Sequence, residues 1–333
     1  MPLHKPRPVD NIYQLNMLPI STLFNGIYRV DNNKTGTYKN GSTFAYFDLH
    51  DATGVKKGQC HPNEISWYQS KPFELVKVKG FVLHSDNQKL VHVTEIMPVK
   101  VEDIIDSIKT LPRALCEDAT WLDRLISIRQ SIHSPALGKF MDTIFSDNDI
   151  ALSFLQVPAS KSFHHNHIGG LLAHSIEVAE ITGNQLYEST DERDIAVVAA
   201  LLHDIGKVKT LKPDKSTTQL GKMVGHDDLT LEICANALKD LDKTWSEASY
   251  TMRHVWTCAS SGAKYGFERN CLIANIVQFA DRQSVDHFNE KLAFESNNKV
   301  DGLAWNGNKY FWRPTAESRS INWRTKCLKS NTH

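Results

Sequence analysis

At 333 residues the chain is long enough for two domains. Its 41% hydrophobic and 23% charged residues exclude a disordered or fibrous chain, and a formal net charge of zero excludes a global field for polyanions, so any nucleic-acid affinity must come from local basic patches. Six widely spaced cysteines without a CxxC pair argue against a zinc ribbon or disulfide framework and fit a reducing cytoplasm, while the lack of a signal-like start or an apolar run of about 18 residues predicts no membrane partner.

The first part of the chain, residues 1–100, reads as short strands. Leu23 to Val30 is the first, Asn40-Gly41 marks a hairpin, and Thr43 to Leu49 follows. Asp51-Ala52-Thr53-Gly54 is a second turn. Val76, Val78, Val91 and Val93 then recur at period two, and about five strands in this length predict a small β-barrel. The order of an aromatic strand, the Leu49-His50-Asp51-Ala52-Thr53-Gly54 turn and Val76-Lys77-Val78-Lys79-Gly80 resembles a nucleic-acid-binding OB-fold. Twelve Lys and Arg against eight Asp and Glu over residues 1–100 make this part basic. Phe44, Tyr46, Phe47, Trp67 and Tyr68 are aromatic; Trp67 and Tyr68 are taken as platforms for stacking bases. By alternation Phe44 and Tyr46 share one face and Phe47 takes the other, so some of these rings belong to the core.

Residues 101–300 change to helical spacing. The pattern predicts helices over 101–109, 119–132 with Asp118 as cap, one starting at Pro135, and others over 149–156, 167–187, 192–204, 226–240, 245–258 and 269–288. No strand-like alternation recurs, so the expected fold class is multidomain α and β: an N-terminal OB-like barrel followed by an all-α domain. Residues 301–333 form a third part. Trp305, Tyr310, Phe311, Trp312 and Trp323 lie there among basic residues, which suits either single-strand contact or a tail packing its tryptophans onto the helices.

The chemistry lies in the helical part. Ile195 to Leu202 is apolar almost all round and ends in His203-Asp204, followed by Ile205-Gly206-Lys207. An imidazole and a carboxylate at a buried helix end need a partner, and a metal ion is a natural one. His174 upstream, and His226, His254 and Asp281 downstream, complete the order H…HD…H…H…D. Such donors suit one or two divalent ions of Mn, Fe, Co, Ni or Zn. Lys207, three residues past Asp204, is positioned to neutralise a phosphate oxygen. Gly169-Gly170 would admit close backbone approach and, with His164 and His165, either support the ligands or contact substrate phosphate. Arg282, beside Asp281, is assigned to the substrate as well.

This order resembles the HD superfamily of metal-dependent phosphohydrolases. The resemblance implies that His174, His203, Asp204 and Asp281 hold a first ion, that Asp204 bridges to a second, and that His226 and His254 are candidates to complete it. The barrel-plus-helices arrangement is similar to YhaM-type 3′–5′ exoribonucleases, on Phe163-His164-His165, Ile168-Gly169-Gly170-Leu171-Leu172 and Leu201-Leu202-His203-Asp204-Ile205-Gly206-Lys207. It implies a manganese-dependent enzyme on single-stranded RNA or DNA. Where that family has Ser-His-His-Gly, this chain has Ala259-Ser260-Ser261-Gly262, so one tight ion and a weaker second are expected. His174-Ser175-Ile176-Glu177-Val178-Ala179 and Ala280-Asp281-Arg282-Gln283 also resemble MOBH-type conjugative relaxases, which implies DNA nicking as an alternative. Di-iron HD oxygenases share the ligand order and are a third reading. A homo-oligomer is left open.

Overall fold

The computed structural model describes residues 14–18, 23–66, 68, 71–85, 88–99, 106–259, 266–295, 299–300, 302–307 and 309–314. Five strands, β1 (Phe24–Thr37), β2 (Thr43–Asp51), β3 (Gly54–Cys60), β4 (Glu74–Ser85) and β5 (Gln88–Pro98), close into a barrel in the order β1-β2-β3-β5-β4. All neighbours are antiparallel except β3 and β5, where Lys57, Gly58 and Gln59 run parallel to Leu90, Val91 and His92. This is an OB-like barrel. The period-two valines, Val76, Val78, Val91 and Val93, fill its interior with Phe47 and Leu49. The second turn closes because Asp51 Oδ1 accepts the Thr53 N–H at 2.7 Å and the Gly54 N–H at 3.1 Å.

The barrel is tied into the helices. Arg29 on β1 is fully buried and donates to the Phe145 carbonyl at 2.8 Å and to Asn148 Oδ1. Burial lowers its pKa to about 10, partly offset by nearby Asp147, so it stays charged at neutral pH. The Ala52 N–H donates to the Lys109 carbonyl at 2.9 Å, and Ala52 packs into the helical core.

The helices are α1 (Ala119–Ser131), α2 (Pro135–Ser146), α3 (Asn148–Gln156), α4 (Gly170–Gly183), α5 (Thr190–Leu201), α6 (Lys207–Thr210), α7 (His226–Thr244), α8 (Ser246–Thr257) and α9 (Leu272–Glu295). Asp118, Ser134, Asp147 and Ser189 each accept a backbone N–H as N-caps, and Pro135 starts α2 as its spacing predicts. The helix expected over 101–109 is instead a 3-10 turn, Ser107–Thr110, where described; Asp142 Oδ1 takes the Ser107 N–H at 2.8 Å and fixes it. Every α5 residue from Asp194 to Leu201 is buried. Among the described residues no helix is long and apolar enough to cross a membrane.

By compactness the chain divides into Met1–Ala280 and Asp281–His333, and the division falls inside the continuous helix α9. The second unit holds strands that the reading of 301–333 as a basic aromatic tail did not include. β6 (Lys299–Val300), β7 (Leu303–Trp305) and β8 (Tyr310–Trp312) form an antiparallel sheet. Its tryptophans are not packed away, as one reading of the tail required: Trp312 is 63% exposed. Trp323 lies outside the described residues.

Candidate metal centre

α4 and the end of α5 bring the first donors together. His174, in the second turn of α4, is fully buried. α5 stops at Leu201 and the chain turns, which throws His203 and Asp204 back against α4. Their rings are 5.2 Å apart for His174 and His203. His203 Nδ1 lies 2.7 Å from the Ala200 carbonyl. A carbonyl only accepts, so Nδ1 carries a proton and Nε2 is the nitrogen turned to the centre, the one that would ligate a cation once it has given up its own proton. Asp281 on α9 completes the group: donor atoms of His174, His203 and Asp281 all lie within 4.8 Å of one another. Bonds of about 2.0–2.2 Å put a metal's ligand atoms roughly 3–4 Å apart, so this set of two imidazoles and a carboxylate fits a divalent ion after small adjustment.

Asp204 is the hub beside them. Its Oδ2 lies 3.4 Å from His203 Nε2, 3.6 Å from His174 Nε2 and 2.5 Å from Lys207 Nζ, and its Oδ1 lies 3.1 Å from His226 Nε2. Burial alone would raise this carboxyl. Lys207 and His203, with hydrogen bonds from His203 and His226, instead hold it well below the usual carboxylate range. His226, at the first position of α7, has its pKa raised by the hydrogen bond to Asp204 against partial burial.

Two glycines set these approaches. A Cβ on Gly206 would come within 1.9 Å of the His226 carbonyl oxygen, so its absence lets α7 lie against the His203-Asp204 turn. Gly170 stands in the same relation, also 1.9 Å, to the His165 carbonyl. Gly169 precedes it with φ 73° and starts α4. His164 and His165 thereby reach His174, with ring centroids at 5.1 and 5.6 Å. His165 is buried and its Nε2 lies 3.2 Å from Glu177 Oε2.

Sequence reasoning missed Glu177 and Thr230. Glu177 stands one turn past His174, a spacing that could have identified it. The Thr230 hydroxyl accepts the Gly206 N–H at 3.1 Å and lies 3.3 and 3.1 Å from the carbonyls of His203 and His226. No local pattern announces that role.

Other expected residues stand apart. His254 is not in the converging group: its Nε2 accepts the Asn270 N–H at 3.1 Å, because α8 turns that face toward the segment before α9. Arg282 is exposed. Residues 260–262, where the family pattern departs, and Trp67 lie outside the described residues. Tyr68 is corrected. It is 7% exposed in the barrel core, and its hydroxyl donates toward the Val30 and Lys71 carbonyls, so it offers no stacking face. The half-buried rings of Phe44 and Tyr46 instead line one side of β2 with Tyr38, at centroid distances of 4.4 Å for Tyr38–Phe44 and 5.9 Å for Phe44–Tyr46, while Phe47 points inward.

Residues 171–286 match the HD domain family. The chain is similar to the 3′-5′ exoribonuclease YhaM of Bacillus subtilis, 23% identical over 262 residues, which span 76% of this chain and 81% of that protein. It is 25% identical over 233 residues to the 3′-5′ exoribonuclease YhaM of Oceanobacillus iheyensis, spanning 65% of this chain and 70% of the relative. Among solved structures, the second OB-fold domain of replication protein A from Methanococcus maripaludis aligns with 27% of this chain and 96% of its own length, at 20% identity and a TM-score of 0.23.

Proposed function

We propose that this HD-domain protein is a metal-dependent phosphodiesterase that shortens single-stranded nucleic acid from the 3′ end. The observation that carries the reading is the convergence of His174, His203 and Asp281, with Asp204 against both histidines, in an HD domain behind an OB-like barrel. The similarity to YhaM exoribonucleases supports the direction of attack.

In this reading His174, His203, Asp204 and Asp281 hold one divalent ion, manganese first among the candidates, and His226 contributes to a weaker second position. When bound, such an ion supplies Lewis-acid polarisation of the phosphate and an acidified water. Asp204 is held ionised, so it stays an acceptor toward His226 and Lys207 at neutral pH. Lys207 stabilises negative charge as it builds on the phosphate oxygens. His165, braced by Glu177, and His164 line the approach to His174 and contact the scissile phosphate. A bond forms from water oxygen to phosphorus as the bond from phosphorus to the 3′ oxygen breaks. The 3′ oxygen leaves with a proton, and a 5′-mononucleotide is released. Tyr38, Phe44 and Tyr46 on the basic barrel hold the strand by stacking. The five described cysteines are free, which suits a reducing cytoplasm.

The test is cleavage of 5′-labelled single-stranded RNA and DNA, with manganese or another divalent ion, in the absence of oxygen. Stepwise shortening that His203→Ala abolishes is expected. Dioxygen-dependent turnover of a small molecule with intact strands would overturn the reading.

A further inference from the structure

The second unit carries an aromatic surface that the metal centre does not use. Leu303 pairs with Trp312 and Trp305 with Tyr310, so strand alternation puts these four side chains on one face of the sheet and Ala304 and Phe311 on the other. The first face is bare: Tyr310 is 68%, Trp312 63%, Leu303 41% and Trp305 36% exposed. The sheet is held to the second half of α9 by other groups. Lys309 Nζ lies 2.6 Å from Asp286, Arg313 Nε lies 3.1 Å from Glu290, and the Arg313 guanidinium sits 4.4 Å from the centre of the Phe294 ring. The aromatic face is therefore not the attachment.

Two observations say what covers it. The rings form a row. Trp305 and Tyr310 are 4.7 Å apart across the strands, Trp312 stands about 6.6 Å further along β8, and its indole lies over Gly302, where a Cβ would come within 2.8 Å. Sheets with aromatic side chains so spaced stack two or three unpaired bases. The charge is the second. From Lys299 onward the sequence has seven Lys and Arg against two Asp and Glu, while the whole chain balances at 38 against 38. A stretch of sequence that combines aromatic residues with an excess of cations suits a chain of bases and phosphates. A two-fold contact between copies would instead set two positive segments against each other.

We infer that the Trp305, Tyr310 and Trp312 face is a second strand-binding surface, on which bases of single-stranded nucleic acid stack. The inference rests on the single-strand reading of the proposed function. It is tested on the full-length protein in EDTA, by fluorescence anisotropy with a labelled oligouridylate longer than one barrel's footprint of roughly 4–16 nucleotides. Trp312→Ala and Tyr310→Ala should each weaken binding about tenfold, and Trp312→Phe should retain most of it. Hydrolysis of bis(p-nitrophenyl) phosphate with manganese should not change in any of these variants. Unchanged strand affinity in both alanine variants overturns the inference, as does a parallel loss of small-diester hydrolysis or a loss of self-association with strand binding intact. A wild-type protein that binds the strand but hydrolyses nothing, with binding lost in the variants, would support this surface and sink the metal-centre reading.

Discussion

Lys207 Nζ lies 2.5 Å from Asp204 Oδ2, and both side chains are almost fully enclosed. The ammonium thus occupies the side of the carboxylate nearest His174 and His203. Removing one member of an enclosed pair leaves a buried charge, which costs roughly 3–5 kcal/mol when nothing else compensates. His203 and His226 still face Asp204, so Lys207→Met should cost about half of that. The loss should show as a lower Tm in EDTA and shrink in saturating manganese. An equal deficit in both conditions would mean that Asp204 does not face a cation. Hydrolysis of the small diester should fall on the order of 10²-fold.

The histidines separate by role. His203→Ala and Asp281→Asn should remove bound metal, read by elemental analysis after dialysis, with little change in circular dichroism. His254→Ala should keep the metal content of the wild type, because His254 Nε2 accepts from Asn270. Loss of metal in His254→Ala would restore it as a ligand.

Arg29 joins barrel to helices. Arg29→Ala strands the Phe145 carbonyl and Asn148 in a buried contact, with an expected cost of about 3 kcal/mol. The melt should stay a single transition at lower temperature, since the barrel shares one compact unit with the helices up to Ala280. Two separated transitions would show that the barrel folds and melts independently.

His50 reports on acid. Burial holds its pKa below 6.5, against the pull of Asp48 and Asp31. Above pH 6.5 the ring is neutral in both folded and unfolded chains. As pH falls below 6.5 the unfolded chain takes up the proton first, so stability declines until the folded ring also titrates. His50→Leu should flatten this part of the Tm-against-pH curve, and an unaltered slope would assign the decline to other groups.

The barrel's two kinds of tyrosine should differ. Tyr46→Ala should weaken strand binding several-fold and spare the small diester. Tyr68→Phe should leave both unchanged and cost about 1 kcal/mol, the loss of a buried hydroxyl's hydrogen bonds.

The sequence alone determined the two folding grammars and named the residues from which the candidate site is built. Period two at Val76, Val78, Val91 and Val93, and the all-apolar helix ending in His203-Asp204, are local patterns imposed by backbone geometry, and they put the barrel and helices where they stand. The His-Asp pair needed no structure to be read as metal-binding, since a buried helix end must neutralise such groups. What the chain could not reveal was which distant donors meet. His226 reaches Asp204 only because Gly206 lets α7 press against the turn, whereas His254, just as polar and as helical, faces Asn270. Tyr68 follows the same logic: aromatic composition is equal for a platform and a core ring, and only closure of the barrel buries it. The sheet over Lys299–Trp312 escaped notice because strands of two and three residues carry too few alternations to register. Contacts that span many residues are fixed by packing, and packing is a property of the whole fold rather than of any stretch of its sequence.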